Sequence, residues 1–219
     1  MKMNRHALFV GINDYRGYEA PSLPWAANDA RVLSQYFAQL GYQTHWIVDA
    51  TVSELKDTLK NFTRGLGKGD LFLFYFAGHG ITFRNEACLA CRKELAGSFE
   101  SALLPIRELQ ELIDRDFDTV VISDACRTND DGVFHTGLSS RDLQLVSGAE
   151  GAIWLNDTFR AQGTGARAIV YACEEGCPAE ENPVVGHGVF SQALLEELRS
   201  SRHRVGNVRV DAGLVDRIG

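Results

Sequence analysis

The sequence predicts an α/β domain built on a mainly parallel sheet with helices on both faces. Three observations carry this. Uninterrupted apolar runs at Ala7 to Ile12, Leu71 to Ala77 and Ala168 to Ala172 read as strands covered on both sides. Segments with apolar spacings of three and four lie between the strands, as crossover helices require. The length of 219 residues suits one sizeable core and is short for two ordinary domains. Such a sheet has right-handed crossovers and binds ligands at the carboxyl ends of its strands.

The elements follow in order. Ala7 to Ile12 is the first strand. Between Trp25 and Leu40, the residues Ala26, Ala30, Leu33, Phe37 and Leu40 line one helical face, and Gly41 supplies the stop. Tyr42 to Val48 alternates as a second strand, Val52 to Phe62 repeats the helical period, and Gly65 to Asp70 is a turn. The third strand is Leu71 to Ala77, with short strands expected between Ile81 and Cys91. A helix at Ile106 to Ile113 rests on Leu109, Leu112 and Ile113, and Thr119 to Ser123 is the fourth strand. Arg127 to Gly165 is rich in glycine and polar residues with weak periodicity, and is expected to be a mobile linker on the rim. The fifth strand is Ala168 to Ala172, and Gly188 to Leu198 is an amphipathic helix. The stretch Val208 to Gly219 reads as a fragment of something further, so a C-terminal domain beyond this chain is an expectation.

Apolar residues at 45% and charged residues at 23% exclude disorder and coiled coil. A net charge of −7, with no cluster of basic residues, disfavours nucleic acid as a partner. No apolar run approaches a membrane span, and Met1 to His6 lacks the apolar stretch of a signal peptide, so a cytoplasmic location is expected. Five irregularly spaced cysteines argue for free thiols.

Reactive side chains sit at two strand ends. Strand three runs into Phe76-Ala77-Gly78-His79-Gly80 and strand four into Ser123-Asp124-Ala125-Cys126-Arg127, so a histidine and a cysteine leave one edge of the sheet. The glycines flanking His79 are expected to let the chain turn sharply and to bring backbone N–H groups near a bound carbonyl. The imidazole can take the thiol proton, and it is the thiolate that attacks. Taken singly, a cysteine ending a buried strand is ordinarily a small core residue and a loop histidine ordinarily solvated. Their placement on neighbouring elements shifts the balance.

The chain resembles the caspase-like cysteine proteases, especially the metacaspase and prokaryotic caspase-homologue branch, of peptidase C14 type. The matching pieces are Ala7-Leu8-Phe9-Val10-Gly11-Ile12-Asn13-Asp14-Tyr15, Ala26-Ala27-Asn28-Asp29-Ala30, Phe76 to Gly80, Asp124 to Arg127, and Gly188-Val189-Phe190, in family order and over nearly the whole chain. The resemblance implies a caspase-hemoglobinase fold, with a mainly parallel six-stranded sheet and helices on both faces. It implies a His/Cys dyad, an acyl-enzyme and no metal in the chemistry. His79 matches the general base and Cys126 the nucleophile, with an oxyanion hole from the N–H groups of Gly80 and Cys126. It further implies a protein or peptide substrate, a regulatory partner protein or domain, and a role in regulated prokaryotic cell death or antiviral defence.

Asp124 lies two positions before Cys126 on the strand, hence on the same face. In metacaspase-like enzymes that aspartate helps form a pocket for arginine or lysine, joined by the aspartate of the Asn-Asp pair, here Asp29. Ala125 and Arg127 look caspase-like, so the motif is mixed. The competing reading makes Asp124 a structural carboxylate and Asp29 an exposed helix position. Glu174, with Glu175, adds charge to the pocket or faces solvent. Arg141 and Arg160 lie in the linker, and self-cleavage is expected after Arg141. Many relatives need calcium; no EF-hand loop is present, and Asp130 and Asp131 are weak support.

Rival placements are less fitting. His187, in Gly186-His187-Gly188, precedes a helix, where capping or solvent exposure is expected. Cys173 has Glu174 and Glu175 beside it, which would raise its pKa. Cys88 and Cys91 with Cys173 and Cys177 lack a zinc-knuckle pattern and read as reduced thiols. Lys68 is followed by glycine, which breaks a phosphate-loop pattern. Two other functions stay in view: a catalytically silent caspase-like binding module, and a nucleotide- or flavin-binding module, against which the single glycine after strand one argues.

Overall fold

The computed structural model describes residues 3–16, 20–84, 86–113, 115–126, 167–171, 181–182 and 184–199. Five strands form a parallel array in the order β2 (Gln43–Val48), β1 (Arg5–Gly11), β3 (Leu71–Phe83), β6 (Asp118–Cys126) and β7 (Arg167–Tyr171). The far end of β3 pairs antiparallel with β4 (Glu86–Ala90), and β4 pairs with β5 (Leu103–Pro105). The helices are α1 (Ala26–Gln39), α2 (Val52–Phe62), α3 (Ile106–Ile113) and α4 (Val189–Arg199), the last preceded by the two-residue pair β8 (Glu181–Asn182) and β9 (His187–Gly188).

The expected fold class stands; among the described residues the main sheet has seven strands, five parallel and two antiparallel, in place of six. The cause is local. Gly78 and Gly80 do not turn the chain; β3 runs through them as an unbroken strand to Phe83, and only Arg84, at φ 49°, begins the return into β4. A glycine in a strand interior marks close approach as often as a bend. Here an alanine Cβ at Gly78 would meet the Tyr15 hydroxyl at 2.6 Å and the Phe76 ring at 2.8 Å.

The alternation of β1 and β3 builds two cores. Leu8, Val10, Phe72, Phe74 and Phe76 face α2 and α3 with Leu55, Leu59, Leu109 and Ile113. Ala7, Phe9, Leu73, Tyr75 and Ala77 face α1 and α4 with Ala30, Leu33, Phe37, Phe190, Leu194 and Leu198. Each fully buried Val, Leu, Ile or Phe among them contributes about 1.5–3 kcal/mol.

Helix boundaries have identifiable causes. α2 starts in a capping box: the Thr51 hydroxyl accepts from Glu54 N–H, and Thr51 N–H donates to Glu54 Oε2 at 2.8 Å. α1 has no cap from its own N-cap residue, Trp25; Asn13 Oδ1, from the loop after β1, accepts from Ala27 N–H at 2.7 Å. Gly41 ends α1 at φ +85°, as the sequence predicts. The Gly65 to Asp70 segment is a turn before β3, closed by Gly67 N–H donating to Asp70 Oδ2 at 3.0 Å. Among the described residues no helix is long and apolar enough to cross a membrane.

Candidate active site

The parallel ladder between β3 and β6 pairs Ala77 with Asp124, Gly78 with Ala125 and His79 with Cys126. Histidine and cysteine thus hold partner positions at the carboxyl end of two central strands, whose backbones lie roughly 4.8 Å apart. At Gly80, β3 leaves β6 and takes up β4, opposite Leu89. The residue proposed for the oxyanion hole therefore sits at the point where β3 changes partner.

His79 is 6% exposed and held from three directions. Its Nε2–H donates to the Pro21 carbonyl at 2.9 Å; a carbonyl can only accept, so the proton of the neutral ring is on Nε2 and Nδ1 carries the lone pair. Its backbone N–H donates to the Tyr15 hydroxyl at 2.8 Å, and that hydroxyl donates to the Ala90 carbonyl of β4 at 3.1 Å. The Tyr15 and His79 rings pack with centroids 4.4 Å apart. Burial holds the imidazole below its ordinary proton affinity, although the Pro21 carbonyl works the other way. A neutral ring with one oriented lone pair is suited to accept a proton.

Asp124 is buried, and its Oδ2 accepts from Ser191 Oγ of α4 at 2.6 Å and from the Tyr75 hydroxyl at 3.3 Å. Asp29 is also buried, on α1, and both oxygens are engaged: Gly188 N–H donates to Oδ2 at 2.9 Å, and His187 Nδ1 lies 2.5 Å from Oδ1. Desolvation pushes the Asp29 pKa up, partly offset by the bonds from Gly188 and His187. Both carboxylates act on the phenol of Tyr75, which burial, followed by these two charges, raises well above its ordinary value. Of the two aspartates, Asp124 bonds this buried tyrosine directly. Asp29 is not an exposed helix position, and the partly buried His187 ring meets it instead of standing in open solvent.

Local sequence pattern points to no role for Tyr15, Tyr75, Ser191 or the Pro21 carbonyl, and to a different one for His187. Tyr15 ends the first family-like motif, and only its side-chain contacts reveal its position behind His79. The remaining expectations at Glu174, Arg141, Cys173, Cys177, Asp130, Asp131 and the linker 127–165 lie outside the described residues. Cys88 and Cys91 are buried and in no disulfide, and burial pushes the pKa of each thiol up to about 12. Among the described residues no group of three or more His, Cys, Asp or Glu side chains is placed to hold a metal ion.

The family model for the caspase domain, Peptidase_C14, matches residues 4–210. Among solved structures, the crystal structure of protein GSU0716 from Geobacter sulfurreducens superposes with a TM-score of 0.67 at 17% identity, covering 92% of this chain and 84% of that one. At that identity the likeness speaks for the fold alone. None of the curated proteins matches the chain.

Proposed function

Because the chain belongs to the caspase-domain family of peptidases, we propose that it is a cysteine endopeptidase cleaving after basic residues, arginine foremost and lysine with it. His79 is the general base and Cys126 the nucleophile. The observation that supports this most is the ladder register, which sets His79 opposite Cys126, together with the Pro21 bond that leaves Nδ1 as the imidazole's acceptor.

The chemistry follows from those placements. Nδ1 takes the thiol proton, and the thiolate attacks the carbonyl carbon of the scissile bond. Negative charge gathers on the carbonyl oxygen, where the N–H groups of Gly80 and Cys126 are the donors. Collapse breaks the C–N bond, and the imidazolium returns its proton to the leaving amine. Water, deprotonated by the same imidazole, then hydrolyses the thioester. Asp124 and Asp29, with Glu174, supply negative charge for the basic side chain, since a guanidinium matches a carboxylate bidentately.

A peptide warhead carrying arginine tests this reading. It should add its mass to the wild-type protein and not to Cys126→Ala, and a peptide library should be cut after arginine. No labelling and no cleavage would instead leave a silent binding module. Self-cleavage after Arg141 belongs to the same proposal: purified wild type should run as two fragments beside an intact Cys126→Ala. Two intact bands would overturn that part. The biological setting we assign is regulated proteolysis in prokaryotic cell death or defence, in the cytoplasm and under a partner protein or domain, supported by the family resemblance.

A further inference from the structure

Tyr75 of β3, Ser191 of α4 and Asp124 of β6 close a hydrogen-bonded triangle inside the protein. Ser191 Oγ lies 2.6 Å from Asp124 Oδ2 and 2.6 Å from the Tyr75 hydroxyl, and Tyr75 lies 3.3 Å from the same carboxylate oxygen. Tyr75 and Ser191 have no solvent exposure, and Asp124 is 7% exposed. An ionised carboxylate only accepts, so Ser191 spends its one proton on Asp124, and Tyr75 shares its one proton between Ser191 Oγ, the nearer, and Asp124 Oδ2. Burying a carboxylate charge is costly unless such donors meet it. The same helix start reaches the second carboxylate, where Gly188 N–H donates to Asp29 at 2.9 Å.

We propose that Ser191 and Tyr75 are positioning residues for recognition of the basic substrate side chain: they keep Asp124 ionised and fix its orientation without touching the substrate. The proposal deepens the function proposed above and rests on it. Ser191 is the first candidate because it donates directly to Asp124 at 2.6 Å. Tyr75 acts mainly through Ser191. A purely mechanical role, fastening α4 to the sheet, would instead affect stability without affecting the choice of substrate.

Ser191→Ala and Tyr75→Phe test it, the second being isosteric apart from the hydroxyl and so expected to fold. For an arginyl peptide, KM should rise by about tenfold in Ser191→Ala and less in Tyr75→Phe, with kcat within about twofold. Alkylation of Cys126 by iodoacetamide should keep its wild-type rate. Carboxyl ¹³C titration should show the Asp124 midpoint raised in Ser191→Ala, because a donor to the charged form has been removed. An unchanged KM with an unmoved midpoint, or equal losses in kcat and alkylation rate, would overturn the proposal.

Failure of the protease reading is distinguishable. If the wild type cleaves no arginyl peptide, binding of agmatine, a simple guanidinium, to Cys126→Ala protein decides the matter. Agmatine should bind there and bind more weakly once Ser191→Ala is added. Equal affinity in both proteins, or no binding in either, would refute the positioning role.

Discussion

Replacing Gly78 with alanine puts a methyl carbon 2.6 Å from the Tyr15 hydroxyl oxygen and within 2.9 Å of two atoms of the Phe76 ring. The hydroxyl cannot simply retreat. It accepts from His79 N–H at 2.8 Å and donates to Ala90 O at 3.1 Å, and Tyr15 is fully buried. Overpacking of this sort costs about 1–3 kcal/mol, and weakening one buried hydrogen bond adds about 1 kcal/mol. Gly78→Ala should therefore destabilise by about 2–4 kcal/mol. Tyr15→Phe removes the oxygen and leaves a buried N–H and a buried carbonyl short of a partner, at about 2–3 kcal/mol. In the double variant the worst collision is gone, so the two costs should fall short of their sum by about 1 kcal/mol or more. Urea denaturation of the four proteins reads the coupling directly. Additive losses within about 0.5 kcal/mol would refute the idea that the glycine makes room for this hydroxyl.

Other outcomes follow from the same structure. Because burial lowers the His79 pKa, the acid limb of kcat/KM should have its midpoint below the ordinary 6.5. As pH falls through 6.5 the unfolded chain takes up this proton before the folded one does, so stability should decline below that point, and His79→Gln should flatten the decline; denaturation midpoints across pH 5 to 8 measure it. Thr51→Ala removes the hydroxyl half of the α2 capping box, leaving the backbone bond to Glu54, and should cost about 1 kcal/mol by the same assay. Glu54, whose pKa the Thr51 backbone N–H and then its hydroxyl lower, stabilises above its unfolded value of 4.5 and loses this as pH falls through the folded one, so the variant, which keeps the backbone bond, should shed only part of that acid sensitivity. Finally, Cys88 and Cys91 should resist iodoacetamide at pH 8 in the native protein, since burial raises both thiols to about 12; mapped adducts at either would contradict their placement.

What could be read in the sequence was what repeats locally. β1 and β3 carry continuous apolar runs because both faces are covered, and α1 shows its spacing from Ala26 to Phe37 with a glycine at its end. Strand alternation and crossover rules then bring His79 and Cys126 to one edge, and the register agrees. What local pattern could not supply was partnership at a distance. Gly78 resembles a turn residue until Tyr15, 64 residues before His79 along the chain, is seen to occupy the space beside it. The carbonyl of Pro21 carries no signature, because every residue has one. Ser191 looks like any polar helix position, yet its acceptor Asp124 lies 67 residues away. His187 similarly meets Asp29 across 158 residues.

The way α4 is seated bears on the fate of a cut chain. Residues 5–126 supply both cores with most of their strands and helices, whereas residues 167–199 supply β7, which hydrogen-bonds along β6, and a helix whose Phe190, Leu194, Leu195 and Leu198 are sunk against α1. Tyr36 also donates to the Leu198 carbonyl, and Asn28 Nδ2 to Gly186 O at 2.8 Å. Severing the peptide chain between the two portions removes none of those contacts. The pieces should therefore travel as a single particle through size-exclusion chromatography and separate only in denaturant, so that a nick would be visible on a denaturing gel and silent in solution.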